Sequence, residues 1–307
     1  MTAIKEYTVK SICELSGNPE EFVRECNANY HKSVNSAAEK IFENKDVKIV
    51  MLAGPSSSGK TTTALLLSKA IEKLGGRAYT VSLDDFYRMH SEGYPVDENG
   101  QPDFECVEAL DIELLQACLC NLIKTGESLL PVFDFTTGTR NDSAKKISLS
   151  ENDVIIIEGL HALNPLITDT LEEKSLFKIY VSVSSRVYDE NGESFLSKRN
   201  LRFLRRMLRD YKYRAMPVEG TFDLWKSVTR GEDKYLFPFE KNADLKLDSF
   251  HACEPCIIGA QALKLLKEID DINYREKASE LINKLEMFKK INYSILPEDC
   301  LLREFTG

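Results

Sequence analysis

VKIVMLAGPSSSGKTT (residues 47–62) runs from an apolar stretch into a loop bracketed by Gly54 and Gly59, and this junction governs how the rest of the chain is read. The spacing G-x-x-x-x-G-K-[ST] is complete, with a candidate strand before it and a candidate helix after it. Glycines at both ends let the backbone curl so that its N–H groups converge on phosphate oxygens. Lys60 brings a point charge to the β- and γ-phosphates, the Thr61 hydroxyl is a candidate Mg²⁺ ligand, and the positive end of the next helix adds to the field. Gly54, Pro55, Ser56, Ser57, Ser58, Gly59, Lys60, Thr61 and Thr62 are therefore the candidate triphosphate-binding set.

Outward from that loop, apolar runs alternate with amphipathic stretches, which predicts an α/β fold around a mostly parallel sheet. Strands are expected at 47–53, 78–83, 129–133, 153–159 and 176–183. Helices are expected at 60–74, ending at Gly75–Gly76, and at 112–124, with Asp111 as N-cap and Gly126 beyond its end. Asn164–Pro165 reads as a cap and first-turn pair opening another. Residues 195–213 form a basic amphipathic helix, and the tail from 257 to 290 is mostly helical. Before Asp46 no strong strand is visible, only helical spacing over 30–42. The chain divides into an N-terminal helical extension (1–45) and one domain with C-terminal helices (46–307).

Composition narrows the function. A net charge of −9 argues against wholesale nucleic-acid binding. No run approaches the ~18 apolar residues of a membrane span, and MTAIKEYTVK has no secretory h-region, so a cytoplasmic protein is expected. Homo-oligomerisation is left open. The eight cysteines are irregularly spaced. The one CxxC, Cys253 and Cys256, has only His251 near it, which suits buried free thiols in a reducing cytosol better than a zinc site.

The loop fixes a nucleotide but not a reaction. An N-K-x-D base-reading motif and an LSGGQ signature are both absent from the sequence, which sets aside Ras-type GTPases and ABC ATPases. Carboxylates instead follow the strands. Asp84 and Asp85 come directly after 78–83, where in-line phosphoryl transfer needs a group to orient a hydroxyl and take its proton. Glu158 ends an aliphatic strand, the place from which an acid steadies a magnesium shell. KRNLRFLRRMLRDYKYR (198–214) holds eight Lys or Arg against one acid. Arg202, Arg205, Arg206 and Arg209 share one helical stripe, and Leu201, Leu204 and Leu208 share another. Such arginines suit a lid over developing phosphoryl charge, although a solvated basic face has the same pattern.

Seven stretches taken in order resemble the uridine kinase and phosphoribulokinase family of P-loop kinases over residues 46–255: GPSSSGKTT, SLDDFYR, PDFECVEALD, PVFDFTTGTR, VIIIEGLHALNP, RRMLRDYKYR and GEDKYLFPFEKNAD. The ending ILPEDCLLREFTG is similar to a bacterial branch whose members often carry TGS and synthetase-like domains upstream, and residues 1–45 would match the junction before the kinase. The resemblance implies a P-loop NTPase three-layer sandwich with an Arg-rich helical lid. It implies ATP as donor, Mg²⁺ as cofactor, and Asp84 as catalytic base beside Lys60 and Arg209. Tyr87 would lie by the acceptor sugar, Glu158 and Thr61 by the metal, and Arg206, Arg209 and Arg214 by the phosphates, Arg206 also by the acceptor. Where uridine kinases hold the ribose with Asp this chain has Glu105. Where they read the pyrimidine with Tyr and His it has Phe133 and Gly138, which removes hydrogen bonds that reject wrong bases. Phe104 and Phe135 remain as stacking walls.

The expected function is ATP-dependent phosphorylation of a nucleoside 5′-hydroxyl, uridine first. Two readings compete with it: the same chemistry on another sugar, sugar phosphate or modified nucleoside, and a nucleotide-sensing or RNA-associated module with little kinase activity.

Overall fold

Side chains along a strand alternate between faces, and Ile49–Ala53 is apolar at every position, so both of its faces must be covered. The computed structural model, which describes residues 4–98 and 100–307, shows how. After β1 (Glu6–Thr8), α1 (Val9–Leu15) and α2 (Pro19–Glu43), strand β2 (Ile49–Ala53) leads through the glycine loop into α3 (Lys60–Lys73). Then come β3 (Ala78–Ser82), α4 (Ile112–Thr125), β4 (Glu127–Asp134), β5 (Thr139–Ser148), β6 (Val154–Gly159), α5 (Pro165–Thr168) and β7 (Leu176–Ser182). The chain continues through β8 (Arg186–Tyr188), β9 (Ser194–Leu196), α6 (Lys198–Arg214), α7 (Val218–Tyr235) and β10 (Leu245–Asp248). It finishes with α8 (Glu254–Lys267), α9 (Ile272–Glu286) and α10 (Arg303–Thr306).

The central sheet has the order β10-β7-β2-β6-β3 and is parallel throughout, with Ile49 in register with Ile155 on one side and Leu176 on the other. Val50 and Leu52 join a core with α2, α3, α6, α8 and α9. Ile49 and Met51 join a second core on the opposite face with α4 and Leu130 and Ile147 of β4 and β5. This is the three-layer α/β arrangement, and it puts the C-terminal ends of β2, β3 and β6 along one edge, where open parallel sheets bind ligands.

Helix caps follow the sequence. Asp111 accepts from the Leu114 N–H at 3.0 Å, and Gly126 closes α4 in the left-handed conformation. Asn164 caps α5, but that element is a single turn of four residues.

Residues 129–133 are not a strand of the central sheet, which corrects the expectation above. They lie within β4, which pairs antiparallel with β5 as a separate hairpin. Its burial alternates, so LLPVF packs one side on the second core and leaves Leu129 and Val132 in water. The N-terminal region does contain a strand: β1 pairs in parallel with β8, and β8 turns back on β9. Helix α2 lies along α3, and its Val34, Ala37, Ala38 and Ile41 are buried in the first core.

Candidate active site

The loop after β2 holds its curl through backbone that few side chains tolerate. Gly59 has φ +88°, and Ser57, although not glycine, has φ +57°. A methyl group on Gly54 would fall 2.2 Å from the Val181 carbonyl oxygen. The loop's carbonyls are held by cations: Lys60 Nζ donates to Gly54 O (2.9 Å) and Pro55 O (3.2 Å), Arg202 to Ser56 O (3.1 Å) and Arg205 to Ser57 O (3.3 Å).

Those two arginines are not free phosphate ligands. Arg202 forms a buried bidentate pair with Glu232 (2.6 and 2.8 Å), and Arg205 another with Glu254 (2.6 Å for both bonds). Glu232 also accepts the Ser56 N–H at 2.8 Å, so α6, α7 and the loop form one ion-paired unit. The outer arginines differ. Arg206, Arg209 and Arg214 converge on the buried carboxylate of Asp210 at 3.1, 2.9 and 3.3 Å. Arg206 also donates to Ser56 Oγ at 2.8 Å.

A cavity of about 300 Å³ opens between these groups, lined on its phosphate side by Ser56, Ser57, Lys60, Thr61, Glu158 and the three outer arginines. Across from them stand Asp84, Tyr87, Phe104, Glu105 and His161. Asp84 comes from the 3-10 turn after β3 and its N–H donates to Ser82 Oγ at 3.2 Å. Surrounding protein raises its carboxyl pKa, and Lys60, Arg214 and Arg209 pull it back, while water reaches the group through the cleft and damps the shift. Asp85 turns away and accepts the Phe133 N–H at 3.4 Å, so it braces the β4–β5 hairpin. Glu158 accepts the Thr61 hydroxyl at 3.2 Å, with its pKa raised by burial and drawn down by Lys60. Burial takes Glu105 up to about 7 against the pull of Arg206.

Of the residues expected at the acceptor, Tyr87 and Phe104 line the cavity, whereas Phe133, Phe135 and Gly138 of the hairpin stand outside its lining, behind Tyr87. Tyr87 lies 5.9 Å from Phe133 and 5.7 Å from Phe135, ring centre to ring centre, and Phe104 lies 4.8 Å from Tyr94. Phe104 and Phe135 are exposed, Phe133 is buried, and Arg140 anchors the hairpin by donating to Tyr87 O (2.9 Å) and Asp111 (2.8 Å). Gly138 sits in the hairpin turn at φ +65°, and the His90 ring covers it so closely that a methyl group there would fall 2.1 Å from Nδ1. Thr62 faces away from the cavity.

Three residues escaped the sequence reading. His161 lies three positions after Glu158; it is buried, its Nδ1 has no hydrogen-bond partner, and burial lowers its pKa to about 4, so it is neutral. Its place in the EGLHA run was the available signal. Glu232 falls in the GEDKYLFPFEKNAD run but its pairing was not readable there, and Glu254 gave no signal, since their arginine partners lie 30 and 49 residues away in the chain.

A larger cavity of about 680 Å³ flanks the loop at Pro55, between Tyr180, Arg202 and Leu247, and contains neither Lys60, Asp84 nor Glu158. All eight cysteines are free thiols, with Cys253 and Cys256 buried. Among the described residues no His, Cys, Asp and Glu cluster forms a ready metal cage, and no helix is long and apolar enough to cross a membrane.

A phosphate loop at the end of the central strand, with carboxylates at the ends of the next two strands on one side, β6 and β3, and arginines above, defines a P-loop kinase. The comparisons agree: residues 49–253 match the Phosphoribulokinase / Uridine kinase family, and the chain belongs to that family of ATP-dependent kinases. It is 30% identical over 204 residues to a uridine kinase of Staphylococcus aureus (strain JH9), covering 66% of this chain and 87% of that protein. Among solved structures it is similar to a putative fructose transport system kinase from Silicibacter sp. TM1040, with a TM-score of 0.50 and 19% identity over 69% of this chain and 98% of that one. A possible uridine kinase from Bacillus stearothermophilus aligns at a TM-score of 0.47 and 20% identity, covering 71% and 98% of the two chains.

Proposed function

We propose that the chain moves the γ-phosphoryl group of ATP onto a primary hydroxyl, the 5′-hydroxyl of a nucleoside, with uridine the leading acceptor. The observation that carries this reading is Asp84 facing Lys60, Thr61, Glu158 and the three outer arginines across one cavity. Asp84 would accept the hydroxyl proton as the new O–P bond forms and the bond to the leaving ADP breaks. Lys60 and the arginines would balance charge on the transferring group, and Lys60, Arg214 and Arg209 oppose the rise that burial gives the Asp84 carboxyl.

Thr61 and Glu158 fit a magnesium ion: a hydroxyl and a carboxylate 3.2 Å apart are oxygen-only donors, suited to a hard cation that keeps most of its waters. Bound there, the ion would neutralise β- and γ-phosphate charge.

The ring cluster of Tyr87, Phe133 and Phe135 supports a flat base beside the reacting hydroxyl. His90, lying over Gly138 and 6.4 Å from Phe133, brings an imidazole to that wall from a different segment. Phe133 itself offers no side-chain hydrogen bond, and this favours a second reading in which another sugar or sugar phosphate is the acceptor.

ADP release from Mg-ATP, measured against uridine, cytidine, other nucleosides and a panel of sugars and sugar phosphates, separates the two. Turnover with uridine or cytidine supports the first. Turnover confined to a sugar or its phosphate leaves the kinase chemistry standing and discards the nucleoside.

A further inference from the structure

Residues 297–306 run onto the phosphate loop and are built into its surroundings. Leu301, Leu302 and Phe305 are wholly buried. Leu301 covers Gly59, where an added methyl group would fall 2.5 Å from Leu301 Cδ1. The Thr62 hydroxyl donates to Glu304 Oε2 at 2.6 Å, and the Phe305 ring lies 5.1 Å from the Arg205 guanidinium. Lys212 Nζ donates to the Thr306 carbonyl, and Arg303 donates to the carbonyls of Leu296 (2.5 Å) and Pro297 (2.9 Å).

The polarity of the loop gives this contact its meaning. Lys60, Asp84 and Glu158 mark the end where the γ-phosphoryl group reacts. The loop amides and the first turn of α3 serve the inner phosphates. The nucleoside half of a donor must therefore leave past Gly59 and Thr62, where residues 300–306 stand. Glu304 puts a like charge beside the inner phosphates, and Leu301 and Phe305 fill space that a nucleoside would enter.

We infer that residues 300–306 are an intramolecular occupant of the donor's nucleoside subsite, and that Glu304 sets donor affinity. ATP binds as this segment yields, whereas inorganic pyrophosphate fits the loop without moving it. The inference rests on the ATP-dependent reading above.

Two measurements test it. The first is calorimetric titration of wild type and Glu304→Gln with Mg-ATP and with magnesium pyrophosphate. The substitution keeps an acceptor for Thr62 and removes the charge, so Mg-ATP should bind about tenfold tighter, and pyrophosphate, which meets the same charge but leaves the segment in place, should gain less than Mg-ATP does. The second is hydrogen exchange on the unmodified protein, where Mg-ATP should speed exchange over 297–306 and pyrophosphate should leave it unchanged. Protection of 297–306 by Mg-ATP would make the segment a fixed wall and overturn the inference. Protection confined to 198–202 would place the nucleoside in the larger cavity by Pro55, with the same result. Failure of both proteins to bind Mg-ATP would remove the donor reading itself and this inference with it.

Discussion

Glu105 joins the chemistry of the site to the stability of the fold, and replacing it with glutamine tests both. Helix α7 presses on the residue: a methyl group on Gly231 would fall 2.7 Å from Glu105 Cβ. Burial, with help from Glu232, Asp84 and Asp103, lifts its carboxyl from 4.5 to about 7, and Arg206 only partly opposes the rise. The folded protein thus holds a proton here up to about pH 7, whereas the unfolded chain releases it near 4.5. Between those values the folded state binds more protons, so the group's contribution is complete below pH 4.5 and is lost as pH rises through about 7. At about 1.4 kcal/mol per pH unit, the gap sets a ceiling of about 3 kcal/mol. Glu105→Gln keeps the shape and cannot ionise. In urea denaturation between pH 5 and pH 8, wild type should lose about 2–3 kcal/mol relative to the variant as pH rises. Parallel stability profiles for the two proteins would refute the argument, because they would mean that Glu105 already ionises in the folded state as it does in water.

Two further outcomes follow from the site. Lys60→Ala and Asp84→Asn should each lower turnover by about 10³–10⁵-fold; an Asp84→Asn protein with near-normal ADP release on the true acceptor would take the base role from Asp84. Glu232→Gln strands the Arg202 guanidinium in the core and should cost about 3–5 kcal/mol by chemical denaturation, with a loss below about 1 kcal/mol showing that water reaches the pair.

The phosphate loop was legible because its mechanism is local: strand, two glycines, lysine and helix all fall within a few turns of chain. Asp84 and Glu158 were legible for a related reason, since each directly follows a recognisable apolar strand. The hairpin was misplaced because LLPVF has the apolar density of a buried strand, while its partner TRNDSAKKIS is almost wholly polar and gives no period to read. Arg202 and Arg206 look alike in sequence, yet one is sealed against Glu232 and the other opens to the cavity. That difference is set by distant acids and by the packing of α7, which no local pattern carries. The packing of 300–306 on Gly59 and Thr62 and of His90 on Gly138 are long-range in the same way.

The arginine grip on the loop has a consequence for association. Its carbonyl oxygens are held by Arg202, Arg205 and Lys60, and two of those three are locked in buried ion pairs. The cradle's shape is therefore settled when the chain folds, before any ligand arrives, and of the three only Lys60 has to turn. Phosphate should meet a preorganised receptor, with little backbone entropy surrendered in the encounter.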